Sequence, residues 1–422
     1  MRSGWWREPE PGGCCLRQHL PDFLFGKVRV MMYGGESTTV EKARTAVVFG
    51  SEKARPEIRQ DSERRTVVHI LWDGHVGGIQ HLVKRAFLDD SRSSFRHVAI
   101  VASEFGSVIG PGDCRFCLGM RSGWDILRMR RMFHILKQFS NAVLVYHLIT
   151  PVFRMLAPRS HPIIILEHGC TAVRSNFRFI NTLLGQAMYK RASMVVCVSR
   201  NSRITVNALV PRHAAKSVVV QNPVLISFGE PRVFPRQPAT VGFIGRFSPE
   251  KGPMEFIQCA RHLLEKALPV RFKMVGGGPL LPECEDFARR IGVPIEFTGF
   301  VNDISPELAS MDVLAVSSSA DAFNMAIIEA MARGVPVAAF PVGGIPEIIT
   351  HDRTGLLAAA KSPRDLALSV ERILFENELY PKLSLNAFGY VRDHYRLKEY
   401  RKKWETIFSR ATVLVHRGKN SL

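Results

Sequence analysis

No stretch of this 422-residue chain reaches the ~18–20 uncharged apolar residues needed to cross a bilayer as a helix. Its first thirty residues lack the ordered basic, apolar and cleavage-site segments of a secretory signal, so no leader is expected. Cysteine offers no framework either. Of Cys14, Cys15, Cys114, Cys117, Cys170, Cys197, Cys259 and Cys284, only Cys114 and Cys117 have ligand spacing. No second pair or nearby His-x-x-His completes a zinc site, and several of the others sit in apolar runs, as expected of buried thiols in a reducing cytosol. Internal repeats and low-complexity tracts are absent, as are an interleaved aromatic-and-basic RNA-binding motif and a G-x-G-x-x-G dinucleotide fingerprint. The length allows two or three domains, each large enough to bury its own core.

What the chain does have is positive charge, unevenly placed. Of a net +19, residues 66–233 hold +13, with 21 basic against 8 acidic side chains. Such a concentration predicts an anionic partner: a membrane surface, a lipid-phosphate acceptor or, last in order, nucleic acid. The plain alternative is a solubilising basic surface. The spacing predicts a helix over 124–139 carrying Arg128, Arg130, Arg131 and Lys137, read either as a crossover helix with a solvated face or as a face meeting anionic lipid.

Residues 1–65 do not read as core: they form a poorly ordered extension, or an upstream start that overstates the protein. From Thr66 the pattern alternates. Strand-like runs at 67–72, 98–103, 142–147, 163–167, 194–198 and 218–221 are separated mostly by helical stretches, which means a doubly wound parallel sheet. This first domain is expected over 66–230. A linker over 231–239 carries Pro231, Pro235 and Pro238, a second domain spans 240–395, and a final helix spans 396–422.

The most informative stretch runs from Asp312 to Glu347. A buried strand ends in three serines, a loop holds Asp321, a helix starts near Asn324 and stops at Gly334, and another strand follows. Glu329 stands eight positions after Asp321, in the second turn of that helix. The helix N-terminus offers unpaired N–H groups and a positive dipole end, a seat for phosphate, and a carboxylate beside it can accept both hydroxyls of a ribose. These features predict a sugar-nucleotide pocket at the carboxyl end of a parallel sheet.

This stretch resembles the acid-x7-acid signature of family 4 glycosyltransferases, retaining enzymes of the two-lobed GT-B fold. Three further blocks match in order: Gly242 to Gly252 with Arg246 and Lys251, Val275 to Pro279, and Thr298 to Asp303. One position departs: the family usually has Glu where this chain has Asp321. The resemblance implies two Rossmann-like lobes with a donor cleft between them and a last helix crossing back to the first lobe. Arg246 and Lys251 would meet the donor diphosphate, as two cations at a strand end suit that charge. Gly77 and Gly78, in a Gly turn after the first strand, would approach it from the other lobe. Gly276 would let backbone pass close to the ligand, and Val301 would contact the base. Asn324, Met325 and Ala326 would supply helix N–H groups, and Glu329 would hold the ribose. Asp321 would contact sugar hydroxyls, and His168, at a strand end, would line the donor sugar, with His147 a weaker candidate. The serine turn at Ser199 would cap the helix after it.

Since no Asp-x-Asp pair is present, neither a metal nor another cofactor is expected, only a UDP- or GDP-linked sugar donor and a glycan or lipid-linked acceptor. The implied setting is cytoplasmic, with peripheral contact at the inner membrane face through the basic first lobe. Two rival readings stay open. One is a GT-B scaffold or sugar-nucleotide-binding subunit without activity; the other is a sugar-nucleotide epimerase or phosphorylase.

Overall fold

The computed structural model describes residues 64–75, 77–112, 115–121, 125–139, 142–147, 161–169 and 186–419. The readings placed on residues 1–63, on Cys114 and Cys170, and on the side chain of Arg130 lie outside the described part. The apolar runs become parallel strands buried on both faces. β1 (Thr66–Leu71), β2 (Arg96–Val101), β3 (Arg115–Cys117), β4 (Val143–His147), β5 (Ile163–Glu167), β6 (Met194–Cys197) and β7 (Ser217–Val219) form one sheet, in the order β3-β2-β1-β4-β5-β6-β7. β8 (Ala239–Ile244), β9 (Val270–Val275), β10 (Ile295–Gly299), β11 (Val313–Val316), β12 (Val337–Ala339) and β13 (Leu356–Leu357) form a second, in the order β10-β9-β8-β11-β12-β13. In the first sheet β1 sits between β2 and β4; in the second, β8 sits between β9 and β11. Each sheet therefore reverses its winding once, beside β1 and beside β8, and a crevice opens at the carboxyl ends there.

Both lobes lie within one compact unit, Ile58–Leu422, and share an apolar cluster. It runs from Val67, Phe87 and Phe95 through Trp404 and Phe408 to Ile327, Ile328 and Met331. The helices that matter for the site are α1 (Gly78–Val83, prolonged by a π-turn over Lys84–Leu88), α2 (Ile126–Lys137), α3 (Arg200–Leu209), α4 (Pro253–Glu265), α5 (Leu281–Arg290), α6 (Ser305–Ser310), α7 (Met325–Ala332), α8 (Pro363–Phe375), α9 (Leu379–His394) and α10 (Leu397–Lys419).

Helix α10 crosses back onto the first lobe. Tyr400, Trp404, Phe408 and Ala411 are buried at helical spacing, and Trp404 meets Phe87 edge-on with ring centroids 5.5 Å apart. Arg401 secures the crossing. Its guanidinium donates to the carbonyls of Arg85 (2.7 Å) and Ala86 (3.1 Å) and pairs with Asp90 at 3.2 Å. On α2, Met132 and Leu136 are buried while Arg131 and Lys137 are exposed; Arg128 pairs with the capping Asp125. No helix among the described residues is long and apolar enough to cross a membrane.

Candidate functional site

The two reversal points face each other across one cleft of about 430 Å³. From the first lobe come Gly77 and Gly78, after β1, and His168, directly after β5. From the second come Arg246 and Lys251, after β8, Asp321, Phe323 and Asn324, between β11 and α7, and Met325 and Ala326, which open α7. Gly276, Val301 and Glu329 also line it, so the twelve residues given donor-site roles in the sequence stand around this one space, while the weaker candidate His147 is not part of the lining.

Hydrogen bonds to backbone carbonyls hold the second lobe's loops together. Ser317 Oγ donates to the Gly252 carbonyl at 2.6 Å, and Ser319 N–H donates to Glu250 at 2.9 Å, joining the turn after β8 to the loop after β11. Two glycines are required by close approach. Gly276 has φ +132°, and a Cβ there would lie 2.0 Å from the Gly245 carbonyl oxygen. Gly343 has φ +55°, and its Cβ would lie 1.9 Å from the carbonyl oxygen of Asp321. The acidic loop is thus fixed from behind by the turn that ends the central stretch.

Within this loop the Asp321 side chain is 7 % exposed and Lys251 Nζ lies 2.5 Å from its Oδ2. Asn324 Nδ2 donates to the same oxygen at 2.9 Å. Asn324 occupies the N-cap of α7 yet does not cap it with its side chain, so the first N–H groups of that helix keep no side-chain acceptor from Asn324. Arg246 is exposed at the cleft wall. The result is a cation and a helix N-terminus around one carboxylate.

Glu329 is 7 % exposed. Burial pushes its carboxyl up to about 8; the Arg85 guanidinium opposes that shift and the Asp303 carboxylate adds to it. Asp303 itself is held below the usual range by the Ser305 hydroxyl (2.6 Å) and N–H (2.9 Å). On the facing helix, burial lowers the pKa of His81, and Arg85 and Lys84 lower it further. Arg85 donates to the Leu225 carbonyl, which tethers α1 to the segment leaving the first lobe.

Sequence reasoning missed His81, Arg85 and Asn222, all of which line the cleft. The signal for the first two was available, since a four-residue spacing directly after the Gly turn puts both on one helix face. It also missed Glu347, whose two carboxylate oxygens accept from the N–H groups of Arg200 (2.8 Å) and Asn201 (2.7 Å). A side chain of the second lobe thereby caps α3 of the first, alongside Ser199, which accepts from Ser202 N–H at 3.1 Å. Among the described residues no group of three or more His, Cys, Asp or Glu could hold a metal ion.

The family model for glycosyl transferases group 1 matches residues 238–376, from β8 into α8. Residues 238–376 belong to that family. Every second-lobe lining residue from Ile244 to Glu329 falls inside this group 1 domain. An uncharacterized glycosyltransferase of Methanocaldococcus jannaschii is 30% identical over 179 residues, 42% of this chain and 46% of that protein. The 2-deoxystreptamine glucosyltransferase of Streptomyces kanamyceticus is 33% identical over 138 residues, 32% of this chain and 36% of its own length. The chain therefore matches less than half the length of these two relatives. The fold match is broader. The Anabaena protein HepE, solved with UDP and glucose, superposes with a TM-score of 0.66 at 18% identity, covering 82% of this chain and all of that one. Sucrose-phosphate synthase from Thermosynechococcus elongatus gives 0.65 at 15% identity, over 83% of this chain and all of that one. Together with the two parallel-sheet lobes, these neighbours show the GT-B fold.

Proposed function

We propose that the chain is a retaining, metal-independent glycosyltransferase that moves a sugar from a nucleotide-sugar to a glycan or lipid-linked acceptor. The observation that carries this is the convergence of Arg246, Lys251 and the α7 N-terminus on one cleft that also holds the buried Glu329. Breaking the bond from the anomeric carbon to the nucleotide phosphate builds negative charge on the leaving diphosphate. Fixed positive groups aimed there lower the barrier most, because they need no rearrangement as the charge forms. Arg246 can fork onto two phosphate oxygens, Lys251 acts as a point charge, and the N–H groups of Met325 and Ala326 complete the seat. The diphosphate then takes the proton of the acceptor hydroxyl on the same face, which retains configuration.

In this reading Glu329 holds the ribose diol, Val301 and the loop to Asp303 meet the base, and Gly276 lets the backbone approach. Asp321 orients Lys251 and reaches the sugar hydroxyls, while Gly77, Gly78 and His168 close the donor sugar from the first lobe. A uridine donor is favoured because HepE, the fold neighbour above, was solved with UDP and with UDP-glucose. The excess of basic residues in the first lobe supports an anionic or lipid-linked acceptor at the cytoplasmic membrane face, in polysaccharide or glycolipid assembly.

The test is a thermal-shift series with UDP, GDP, ADP and their common sugar conjugates, run beside Arg246→Ala. A shift with one nucleotide that the variant loses supports the phosphate seat. Absence of any shift would favour a scaffold instead. Product analysis by NMR then reports the anomeric configuration, and an inverted product would refute the retaining mechanism.

A further inference from the structure

Asn222 is a polar side chain in an apolar place. It lies three residues beyond β7, where the chain leaves the first lobe, and it is 4 % exposed. Val220, Val224 and Leu225 around it belong to the apolar cluster that joins the lobes, together with Phe323 and Ala326. The backbone on either side is fixed. Val220 N–H donates to the Cys197 carbonyl and Val224 N–H to that of Tyr395, each at 2.9 Å. Pro223 holds the residue before it in an extended conformation, so the backbone of Asn222 is set as well.

Asn222 lines the cleft, as do Leu225, Ile226, Phe323 and the first residues of α7. Among the described residues its Oδ1 accepts no hydrogen bond, although the atom is shut away from water. The Asn324 amide, by contrast, is engaged with Asp321. A buried amide oxygen without a donor has given up water for nothing, a cost that leucine, of the same branched shape, would not carry. Such an atom calls for a partner that arrives with a ligand.

The chemistry of that partner follows from the atom. A carbonyl oxygen only accepts, so the group that meets it must carry a proton. The phosphate oxygens of a nucleotide-sugar carry none, whereas the hydroxyls of its sugars do. One hydroxyl can give to Oδ1 while a second takes from Nδ2. We propose that Asn222 is a further donor-binding residue, whose amide oxygen accepts from a sugar hydroxyl of the nucleotide-sugar. This rests on the transferase reading for the identity of the ligand; the unsatisfied oxygen stands without it. The arrangement also selects. A ligand lacking that hydroxyl would bury the oxygen still unpaired, and sites built in this way reject such analogues strongly.

The test substitution is Asn222→Leu, because leucine keeps the shape and removes both polar atoms. Isothermal titration of the full chain with UDP and with UDP-glucose, beside thermal melts of the free protein, gives the readouts; GDP and GDP-mannose replace them if those are what the wild type takes. Relief of the buried oxygen should raise the melting temperature of the free protein by about 3 °C. Loss of the hydrogen bond should weaken binding about tenfold. A packing role would not move the two in opposite directions. Equal weakening of nucleotide and conjugate assigns the hydroxyl to the ribose, and weakening of the conjugate alone assigns it to the transferred sugar. Asn222→Ala, too small to clash, should show the same loss of binding and decides the matter if the leucine variant does not fold. Either variant binding the conjugate as tightly as wild type overturns the proposal and leaves the amide to a water molecule. A folded leucine variant less stable than wild type also overturns it, since the amide would then be bonded in the free protein. If the wild type itself binds none of these compounds, the transferase reading fails and takes the ligand assignment with it, while the melts still report on the oxygen.

Discussion

Glu329 provides the sharpest test of the site, because its burial predicts opposite effects on stability and on binding. An ordinary glutamate titrates near 4.5; here burial moves the carboxyl up to about 8. Between those values the native protein holds a proton that the unfolded chain has released. Stability therefore falls as pH rises through this window and levels off above it. At about 1.4 kcal/mol for each tenfold change, the cost is roughly 3 kcal/mol at pH 7 and close to 5 above pH 8.5. Glu329→Gln removes the ionisation without changing the volume. The variant should match the wild type near pH 4 and exceed it by roughly 3 kcal/mol at pH 7, on the order of 6 °C in melting temperature for lobes of this size.

Donor binding should move the other way. A carboxylate accepts from two ribose hydroxyls through charge-assisted bonds, each worth about 1 kcal/mol more than the neutral amide can offer. The variant should bind the nucleotide-sugar roughly tenfold to a hundredfold more weakly. In the wild type the same contact favours the ionised form, so binding at pH 7 should release a proton. Scanning fluorimetry at pH 5, 7 and 8.5, with calorimetry in buffers of different ionisation enthalpy, reads all three effects. A variant less stable than wild type at pH 8.5, or a stability difference that does not change with pH, would refute the reasoning. Higher stability with undiminished binding would remove Glu329 from the ribose.

Three further outcomes are expected. Asp321→Asn frees Lys251 from its partner at 2.5 Å, so UDP alone should bind as tightly as in wild type or a few-fold tighter while transfer falls at least tenfold; isothermal titration beside an initial-rate assay separates the two. Glu347→Ala removes the acceptor for Arg200 and Asn201 N–H and should cost about 1–2 kcal/mol, read as faster hydrogen exchange at the start of α3. Trp404→Ala empties a fully buried site against Phe87, should cost about 3–5 kcal/mol, and should make α10 the first target of limited proteolysis.

Much of the fold was legible because its signal is local. Val143 to Tyr146 and Ile163 to Leu166 are apolar at every position, which only a strand covered on both sides requires. The site was legible for a related reason. Glycines and cations placed at strand ends are adjacent in sequence, so Arg246, Lys251 and Gly276 could be read without knowing what faced them. Elements with little local pattern were missed: β3 is Arg-Phe-Cys at a sheet edge, and β13 has two residues. The strand expected after Gly334 is in register with β11 over Val337–Ala339 and with β13 over Ala338 and Ala339.

What the sequence hid were relations between distant residues. Lys251 and Asp321 are 70 positions apart, and His69 and His147 are 78. A histidine inside an apolar strand run looks like an isolated exception until the register puts it beside another. The substitution of Asp for the family's usual Glu belongs to the same class. Read along the chain, the shorter side chain means one methylene less of reach toward a ligand. Read in three dimensions, the aspartate oxygen is where Lys251 and Asn324 converge, over a backbone pinned by Gly343. A carboxylate held there has its donors supplied by the protein. Its shortness therefore acts on the orientation of Lys251 as much as on contact with the sugar, and the loss of that lysine's position is what Asp321→Asn would measure.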